Sequence, residues 1–143
     1  MLYAAYDVLM SHEQMNELCP HSSVVGNGYI YGYNLVFNGR ADIRESDDEY
    51  DCVPVVVRDI VSEDWDKLDD YEDCDSVTIE VVFEDASVNI AVVSMSQDDN
   101  GICPPDRHYF DHITRAAIEN DIDIDYLYDA LDYSYENDTR KDD

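Results

Sequence analysis

The sequence has few basic residues and no long hydrophobic run. Only 8 Lys and Arg stand against 35 Asp and Glu in 143 residues, so the formal net charge is −27. Because nucleic-acid binding depends on basic side chains that neutralise phosphates, this charge excludes a protein that binds nucleic acid directly. The same charge is repelled by anionic lipid surfaces, and no run approaches the roughly 18 apolar residues of a membrane-spanning helix. The sequence therefore predicts neither a nucleic-acid nor a membrane partner.

Motifs typical of secreted and metal-binding proteins are also missing. The first residues carry no basic segment of the kind that begins a secretory signal, and the 4 cysteines form no CxxC pair. We therefore expect a cytoplasmic protein with reduced thiols. His108 and His112 have the spacing of helical metal ligands, but the sequence offers no third ligand. Asp121, Asp123 and Asp125 imitate the start of a calcium loop without its glycine. The prediction is a protein without a metal or another cofactor.

Apolar residues make up 45% of the chain and occur in patterned blocks, which distinguishes it from a disordered acidic chain. At this length we expect a single domain, which we predict at 1–135, followed by an acidic flexible tail at 136–143. Five or six short strands interrupted by short helices predict an α+β or small-barrel domain.

Local patterns predict where these elements lie. Runs rich in β-forming residues predict strands at 2–6, 23–37, 53–57, 77–83 and 86–95. Capping residues predict one helix after the cap Ser11, a second helix that is capped by Ser62, and a last helical region that begins at 104–106. The segment 42–51 is mostly acidic, so we predict a loop there.

Three sequence blocks within residues 2 to 131 follow one another in a recognisable order. The first is AYDVLM at 5–10, followed by Cys-Pro at 19–20. The second is LDDYE at 68–72, and the third is a C-terminal block that contains RAA at 115–117. With these blocks the chain resembles the γ-glutamylcyclotransferase-like (AIG2-like) family. The resemblance implies an α+β fold, specifically a small mixed β-barrel with short helices packed outside it.

In that family the α-amine of a γ-glutamyl substrate attacks its own γ-carbonyl, which releases an amine or peptide and forms 5-oxoproline. The reaction needs a carboxylate that carries the amine proton, and the resemblance assigns this catalytic role to Glu72 as general acid and base. Backbone N–H donors must also hold the substrate carboxylate and the oxyanion. The resemblance places substrate binding at Tyr6, Asp7, Val8 and Leu9. One hypothesis is therefore an active γ-glutamyl(amine) cyclotransferase.

The same loop departs from the family pattern at three positions. Asp7 replaces a glycine, Val8 replaces a serine and Leu9 replaces an asparagine. A side chain at the glycine position hinders close approach of the backbone to a ligand, and a carboxylate there repels a substrate carboxylate. Val8 and Leu9 supply no polar side chain for a substrate. The main prediction is therefore a catalytically degenerate protein, a pseudoenzyme of this fold.

The acidic residues are unevenly distributed, with three in 1–41 and thirty-two in 42–143. Rows of carboxylates imitate the phosphates of nucleic acid, so this pattern predicts a protein that blocks the basic surface of a nucleic-acid enzyme. Phage-encoded inhibitors of host nucleases, including anti-CRISPR proteins, have such a composition. The predicted interaction residues are Asp42, Glu45, Asp47, Asp48, Glu49, Asp51, Asp64, Asp66, Asp69 and Asp70.

Two alternatives for the acidity remain open at the level of the sequence. Of the 35 acids 25 are Asp and Lys occurs only twice, which also fits the surface of a protein from a high-salt habitat. The 12 tyrosines and 4 cysteines fit that habitat less well. The other alternative is a charged surface that serves solubility and has no partner.

Overall fold

The computed structural model describes residues 1–72, 75–96 and 101–141. The strands that it describes are β1 (Leu2–Ala5), β2 (Ser23–Tyr31), β3 (Tyr33–Phe37), β4 (Ala41–Glu45), β5 (Cys52–Asp59), β6 (Ser76–Phe83) and β7 (Val88–Ser94). The α-helices are α1 (His12–Leu18), α2 (Ser62–Glu72), α3 (Arg107–Glu119) and α4 (Asp125–Glu136). Short 3-10 helices lie at Val8–Met10 and Thr139–Lys141. No α-helix in these three segments is long and apolar enough to cross a bilayer.

Five strands close into a barrel in the order β1-β5-β2-β6-β7. Neighbouring strands are antiparallel except β1 and β7, which pair in parallel at Tyr3 and Val92. β3 and β4 form a separate two-stranded sheet. The prediction of an α+β fold with a small mixed β-barrel and helices outside it is therefore confirmed.

Two features favour closure of the barrel. Strands β1 and β5 are almost continuously apolar, and a glycine in β2 permits close approach of β2 to β6. Residues of β1 and β5 such as Ala4, Val55 and Val57 are buried, as expected for strands covered on both faces. Gly28 of β2 pairs with Phe83 of β6. A Cβ atom at Gly28 would lie 2.6 Å from Val81 Cγ1, so a larger residue would push β2 and β6 apart.

Side-chain caps begin two of the helices. The Ser11 side chain accepts a hydrogen bond from the Gln14 backbone N–H at 3.3 Å, which confirms the predicted start of α1. The Asp106 side chain accepts from the Tyr109 N–H at 2.8 Å and begins α3. The predicted last helical region consists of two helices, because the chain turns at Asp121 with a φ of 59° between α3 and α4.

The prediction of a loop over 42–51 is wrong in its first half. Residues Ala41–Glu45 form β4, which pairs with β3 in an antiparallel register that places Ile43 opposite Leu35. Local composition indicated a loop, but tertiary pairing with the apolar strand β3 buries Ile43 fully and determines the structure. The predicted strand at 23–37 is likewise two strands, separated at Gly32, whose φ is 81°.

The chain end packs against the segment that precedes α3. The Thr139 backbone N–H donates to the Ile102 carbonyl at 2.8 Å, and Arg140 Nη2 lies 3.0 Å from Asp138 Oδ2. These contacts fall within the predicted tail at 136–143, of which residues 142–143 lie outside the described residues. The flexibility of that tail stays a prediction.

Candidate functional site

Glu72 lies where the end of α2 meets the barrel. It is the last residue of α2, and its Oε1 accepts a hydrogen bond from the Tyr3 hydroxyl of β1 at 2.7 Å. The same hydroxyl lies 3.2 Å from Ser94 Oγ at the end of β7. Tyr3 and Ser94 are buried, whereas Glu72 is partly exposed. The fold therefore brings the predicted catalytic carboxyl group to a position that is anchored on one side and accessible on the other.

Asp7 enters the same site from the loop that follows β1. Its Oδ1 accepts a hydrogen bond from the Leu9 backbone N–H at 2.9 Å, and its carbonyl accepts from the Met10 N–H at 3.0 Å, which begins the 3-10 helix. The side chain of Asp7 is buried, and its carboxyl group is near enough to that of Glu72 for each to influence the pKa of the other. We call Asp7 and Glu72 the carboxyl pair.

Burial and neighbouring charges shift the pKa values of both members of the carboxyl pair. Burial raises the pKa of Glu72 to about 8, and the negative charge of Asp7 adds to this effect. The hydrogen bond from Tyr3 and the positive charge of Arg40 act in the opposite direction. Burial also raises the pKa of Asp7, while its hydrogen bond from Leu9 favours the charged form. The pKa values of both carboxyl groups are thus raised, and at neutral pH the pair retains a proton.

Tyrosine side chains surround the carboxyl pair. The Tyr6 hydroxyl donates to the Ser94 carbonyl at 2.6 Å, and the Tyr109 hydroxyl accepts from the Ala41 backbone N–H at 3.0 Å. Burial, followed by the nearby negative charges of the pair, raises the pKa of both Tyr109 and Tyr71 above the ordinary value. These phenols therefore stay protonated at neutral pH and remain available as hydrogen-bond donors.

The four predicted substrate-binding residues lie together, but their side chains have different roles. Tyr6 and Asp7 contribute to the site through the contacts described above. Val8 and Leu9 are buried in the hydrophobic core, so their side chains pack and do not face a ligand. The Leu9 backbone N–H, a donor that the resemblance assigns to substrate, is already bonded to the Asp7 carboxylate.

Sequence reasoning missed several residues of this site. Tyr3, Ser94 and Tyr109 come from β1, β7 and α3, and Arg40 precedes β4. Tyr3 and Tyr109 have the appearance of ordinary packed aromatics in the sequence, and Ser94 ends a strand without any motif. Only the closure of the barrel and the packing of α3 bring them near Glu72, so no local signal identifies them.

Two of the predicted interaction residues face inward, so their assignment to an acidic surface is wrong. Asp42 is 6% exposed, and its Oδ1 accepts from the Ile43 N–H at 2.9 Å and from the Ser96 N–H at 3.1 Å. Asp64 is 0% exposed and accepts from the His21 N–H at 3.1 Å. Each of these carboxylates satisfies buried backbone donors, a role that the density of acids in the sequence conceals.

The remaining predicted interaction residues lie at or near the surface. Asp51 is half-buried and accepts a hydrogen bond from Ser46 Oγ at 2.6 Å. The exposed members, which we call the acidic set, are Glu45, Asp47, Asp48, Glu49, Asp66, Asp69 and Asp70. In the described parts of the chain, no group of three or more His, Cys, Asp and Glu side chains is arranged to hold a metal ion.

The fold is similar to that of several solved structures, whereas no protein-family model and no curated protein matches this sequence. A structure titled gamma-glutamyl cyclotransferase matches with a TM-score of 0.78 and 17% identity, over 91% of this chain and 85% of that chain. An uncharacterized protein from Homo sapiens matches with a TM-score of 0.77 and 18% identity, over 90% of this chain and 85% of that chain. An AIG2-like protein from Mus musculus matches with a TM-score of 0.56 and 16% identity, over 67% of this chain and 76% of that chain.

These similarities show that the chain has a γ-glutamyl cyclotransferase-like fold. They confirm the fold that the three sequence blocks predict. At identities of 18% and below, the similarity shows the fold alone. The function of this chain therefore has to be argued from its own residues.

Proposed function

We propose that this protein is a catalytically silent member of its fold class that binds a basic protein partner. The single observation that carries the loss of catalysis is the hydrogen bond that the Asp7 side chain accepts from the Leu9 N–H at 2.9 Å. A backbone donor that would hold a substrate carboxylate is thus occupied by a side chain of the protein itself. A negative charge on the carboxyl pair further opposes binding of an anionic substrate group.

The carboxyl pair also affects the proton transfer that a cyclotransferase requires. A general base must accept the proton of the substrate amine, but Glu72 is mainly protonated at neutral pH because its pKa is about 8. Its Oε1 is already bonded to the Tyr3 hydroxyl at 2.7 Å. Asp7 therefore occupies a backbone donor directly, and it adds to the effect of burial that raises the pKa of Glu72.

The acidic set supports the binding part of the proposal. Its members are exposed, and the net charge of −27 attracts a positively charged surface over long range. A nucleic-acid enzyme has such a surface in the groove that holds phosphates. We infer that the protein occupies this groove as a mimic of nucleic acid, in the manner of a phage-encoded anti-CRISPR inhibitor.

The loss of catalysis is tested by measuring the release of 5-oxoproline from a panel of γ-glutamyl amines and γ-glutamyl peptides. We expect no turnover by the native chain. The Asp7→Gly variant removes both the carboxylate and its charge, so it tests whether Asp7 is the obstacle. Turnover by the native chain that Glu72→Gln abolishes would contradict the proposal.

Binding is tested with a guide-loaded Cas9-type nuclease as the basic probe, because its channel holds nucleic acid through backbone phosphates. We expect the protein to compete with target DNA, and we expect the affinity to fall steeply with salt. The variant Asp47→Asn/Asp48→Asn/Glu49→Gln should weaken binding by about tenfold or more. Its matched control, Glu80→Gln/Asp85→Asn/Asp111→Asn, removes three exposed charges elsewhere. Equal affinities of native chain and first variant would contradict a role for this segment.

An active γ-glutamyl cyclotransferase is the second candidate. It is favoured by Glu72 itself, because a partly exposed carboxyl group with a pKa of about 8 is typical of a general acid or base. Release of 5-oxoproline with a pH dependence near 8, abolished in Glu72→Gln, would support this candidate and reject the pseudoenzyme.

A further inference from the structure

A cavity of about 520 Å³ lies between the β3–β4 sheet, the start of β5 and α4. None of its lining residues belongs to the carboxyl pair or contacts it in the described structure. The volume lies within the range of about 300–1,000 Å³ that is typical of ligand sites. Its rim includes the exposed residues Glu45, Asp129 and Tyr133, so a ligand can enter from solvent.

Negative charge predominates in this cavity. Among the described residues, Glu45, Asp51 and Asp129 line it together with one cation, Arg44. Arg44 Nη2 donates to the Gly101 carbonyl at 2.9 Å, which directs this guanidinium group toward the protein backbone. Three carboxylates against one guanidinium leave an excess of negative charge, so the cavity favours a cationic ligand.

The cavity also has an aromatic and apolar wall. Tyr126 and Tyr133 of α4 line it, and Leu35, Ile102 and Ala130 supply buried apolar surface. Within the described residues, the Tyr126 hydroxyl is buried and has no hydrogen-bond partner. Burial raises the pKa of Tyr126, so the hydroxyl stays neutral. A buried hydroxyl without a partner costs free energy, and a cationic N–H donor next to its oxygen would remove that cost.

We propose that this cavity receives an arginine side chain of the basic protein partner. The planar guanidinium group donates two parallel hydrogen bonds to one carboxylate and stacks flat on a tyrosine ring, whereas the ammonium group of lysine is a compact, strongly hydrated charge without this planar geometry. The apolar wall fits the methylene stem of arginine. The inference rests on the proposed function, because it names the side chain by which a basic partner is recognised.

The direct test uses NMR titration of the 15N-labelled protein with the capped peptide Gly-Gly-Arg-Gly-Gly. We expect saturable shifts at the amides of the cavity residues, with a Kd of about 1 mM for a single anchored side chain. The same peptide with citrulline, which has the shape of arginine without its charge, should not bind. The lysine peptide should bind at least about fivefold more weakly. Equal shifts with the citrulline peptide, or shifts that spread over the surface without saturating, would overturn the proposal.

Variants of the cavity separate recognition from general attraction. Glu45→Gln/Asp129→Asn should weaken binding of the arginine peptide by about tenfold. The matched control Glu80→Gln/Asp111→Asn removes the same charge from exposed positions outside the cavity and should change binding by less than about twofold. Tyr126→Phe keeps the ring and removes the hydroxyl, so it should weaken binding severalfold. Equal losses in the charge variant and its control would show attraction by net charge alone and would overturn the cavity site.

Two further outcomes distinguish this inference from the proposed function. Butylguanidinium that binds more tightly than the arginine peptide would assign the cavity to a small guanidinium compound and overturn the partner. If Glu45→Gln/Asp129→Asn keeps full affinity for the basic nuclease while Asp47→Asn/Asp48→Asn/Glu49→Gln loses affinity, the cavity is rejected as the binding site and the proposed function stands. If both variants bind the nuclease as tightly as the native chain does, the proposed function itself is rejected.

Discussion

At the scale of single residues, the site depends on Asp7, whose carboxyl group fills space that a glycine would leave open. Asp7 supplies a cap for the 3-10 helix and a second carboxyl group beside Glu72. The cap stabilises the local backbone, whereas the second carboxyl group raises the pKa of the first. One substitution thus affects both the conformation of the loop and the protonation of the site.

The raised pKa of Glu72 makes stability depend on pH. Its folded-state pKa of about 8 lies above the unfolded value of 4.5, so the folded state binds more protons between these values. The contribution is therefore fully present below the unfolded pKa and is lost as the pH rises through about 8, with a slope of up to about 1.4 kcal/mol per pH unit. We expect denaturant unfolding to show this decline from pH 5 to 8.

The Glu72→Gln variant serves as the control for this pH dependence. It removes the titrating group and keeps a side chain of similar size that can accept from the Tyr3 hydroxyl. The difference between the native chain and the variant isolates the contribution of Glu72 from the titration of the other acids. A difference that is constant from pH 5 to 8 would contradict the raised pKa.

Tyr109 and Tyr126 differ in whether their hydroxyl group has a hydrogen-bond partner among the described residues. The Tyr109 hydroxyl accepts from the Ala41 N–H at 3.0 Å, so Tyr109→Phe leaves that donor unpaired and should cost about 1 kcal/mol of unfolding free energy. The Tyr126 hydroxyl has no partner among the described residues, so Tyr126→Phe should be neutral or stabilising. Chemical denaturation of both variants checks this order, and a larger loss for Tyr126→Phe would contradict it.

At the scale of elements, α2 illustrates how acids on one helix differ in role. Asp64 is fully buried and joins α2 to the chain after α1 through the His21 N–H, with Lys67 Nζ at 3.8 Å. Asp66 is exposed to solvent on the same helix. The helix therefore uses one acid as a structural connector and presents others to solvent.

We expect Asp64→Ala to destabilise the protein by about 2 kcal/mol, because the His21 N–H and the nearby Lys67 lose their partner and the substitution leaves space at a buried position. Asp66→Ala removes the same charge from the same helix and should leave the midpoint of thermal unfolding almost unchanged. Both midpoints can be measured by circular dichroism at equal protein concentration. Equal destabilisation by the two substitutions would show that net charge, and not the hydrogen bond, determines the effect.

The elements themselves were largely predictable where local patterns and tertiary context agree. The start of α1 at the Ser11 cap followed from a local rule, since capping depends on neighbouring residues only. The strand β4 could not be predicted from a local rule, because its acidic residues are unfavourable in a strand and only pairing with β3 compensates for them. The candidate site was predictable for Glu72 and the loop at 6–9, and not for Tyr3, Ser94 or Tyr109.

At the scale of the whole molecule, the net charge of −27 opposes the compact state by self-repulsion. This is the charge that remains after 8 Lys and Arg are set against 35 Asp and Glu. The apolar core, with side chains such as Phe37, Ile30 and Leu127 fully buried, has to outweigh the repulsion. Stability should therefore respond to screening by salt.

We expect the midpoint of thermal unfolding to rise when NaCl is increased from 0.01 to 0.2 M, because the Debye length falls from about 30 Å to below 10 Å. Calorimetry at constant pH measures this shift. A variant that neutralises three exposed acids, Glu80→Gln/Asp85→Asn/Asp111→Asn, should show a smaller shift. A midpoint that is independent of salt in this range would mean that the acids are far enough apart not to repel one another.

The sequence by itself determined the acidity, the apolar blocks that build the barrel, and the frame that identified Glu72. These properties follow from composition and local spacing, which need no knowledge of contacts between distant residues. The tertiary structure decided that Asp42 and Asp64 face inward and that the Asp7 carboxylate bonds the Leu9 N–H beside Glu72. The contacts that join β1, α2 and β7 at the site depend on barrel closure, because their residues are far apart in the chain.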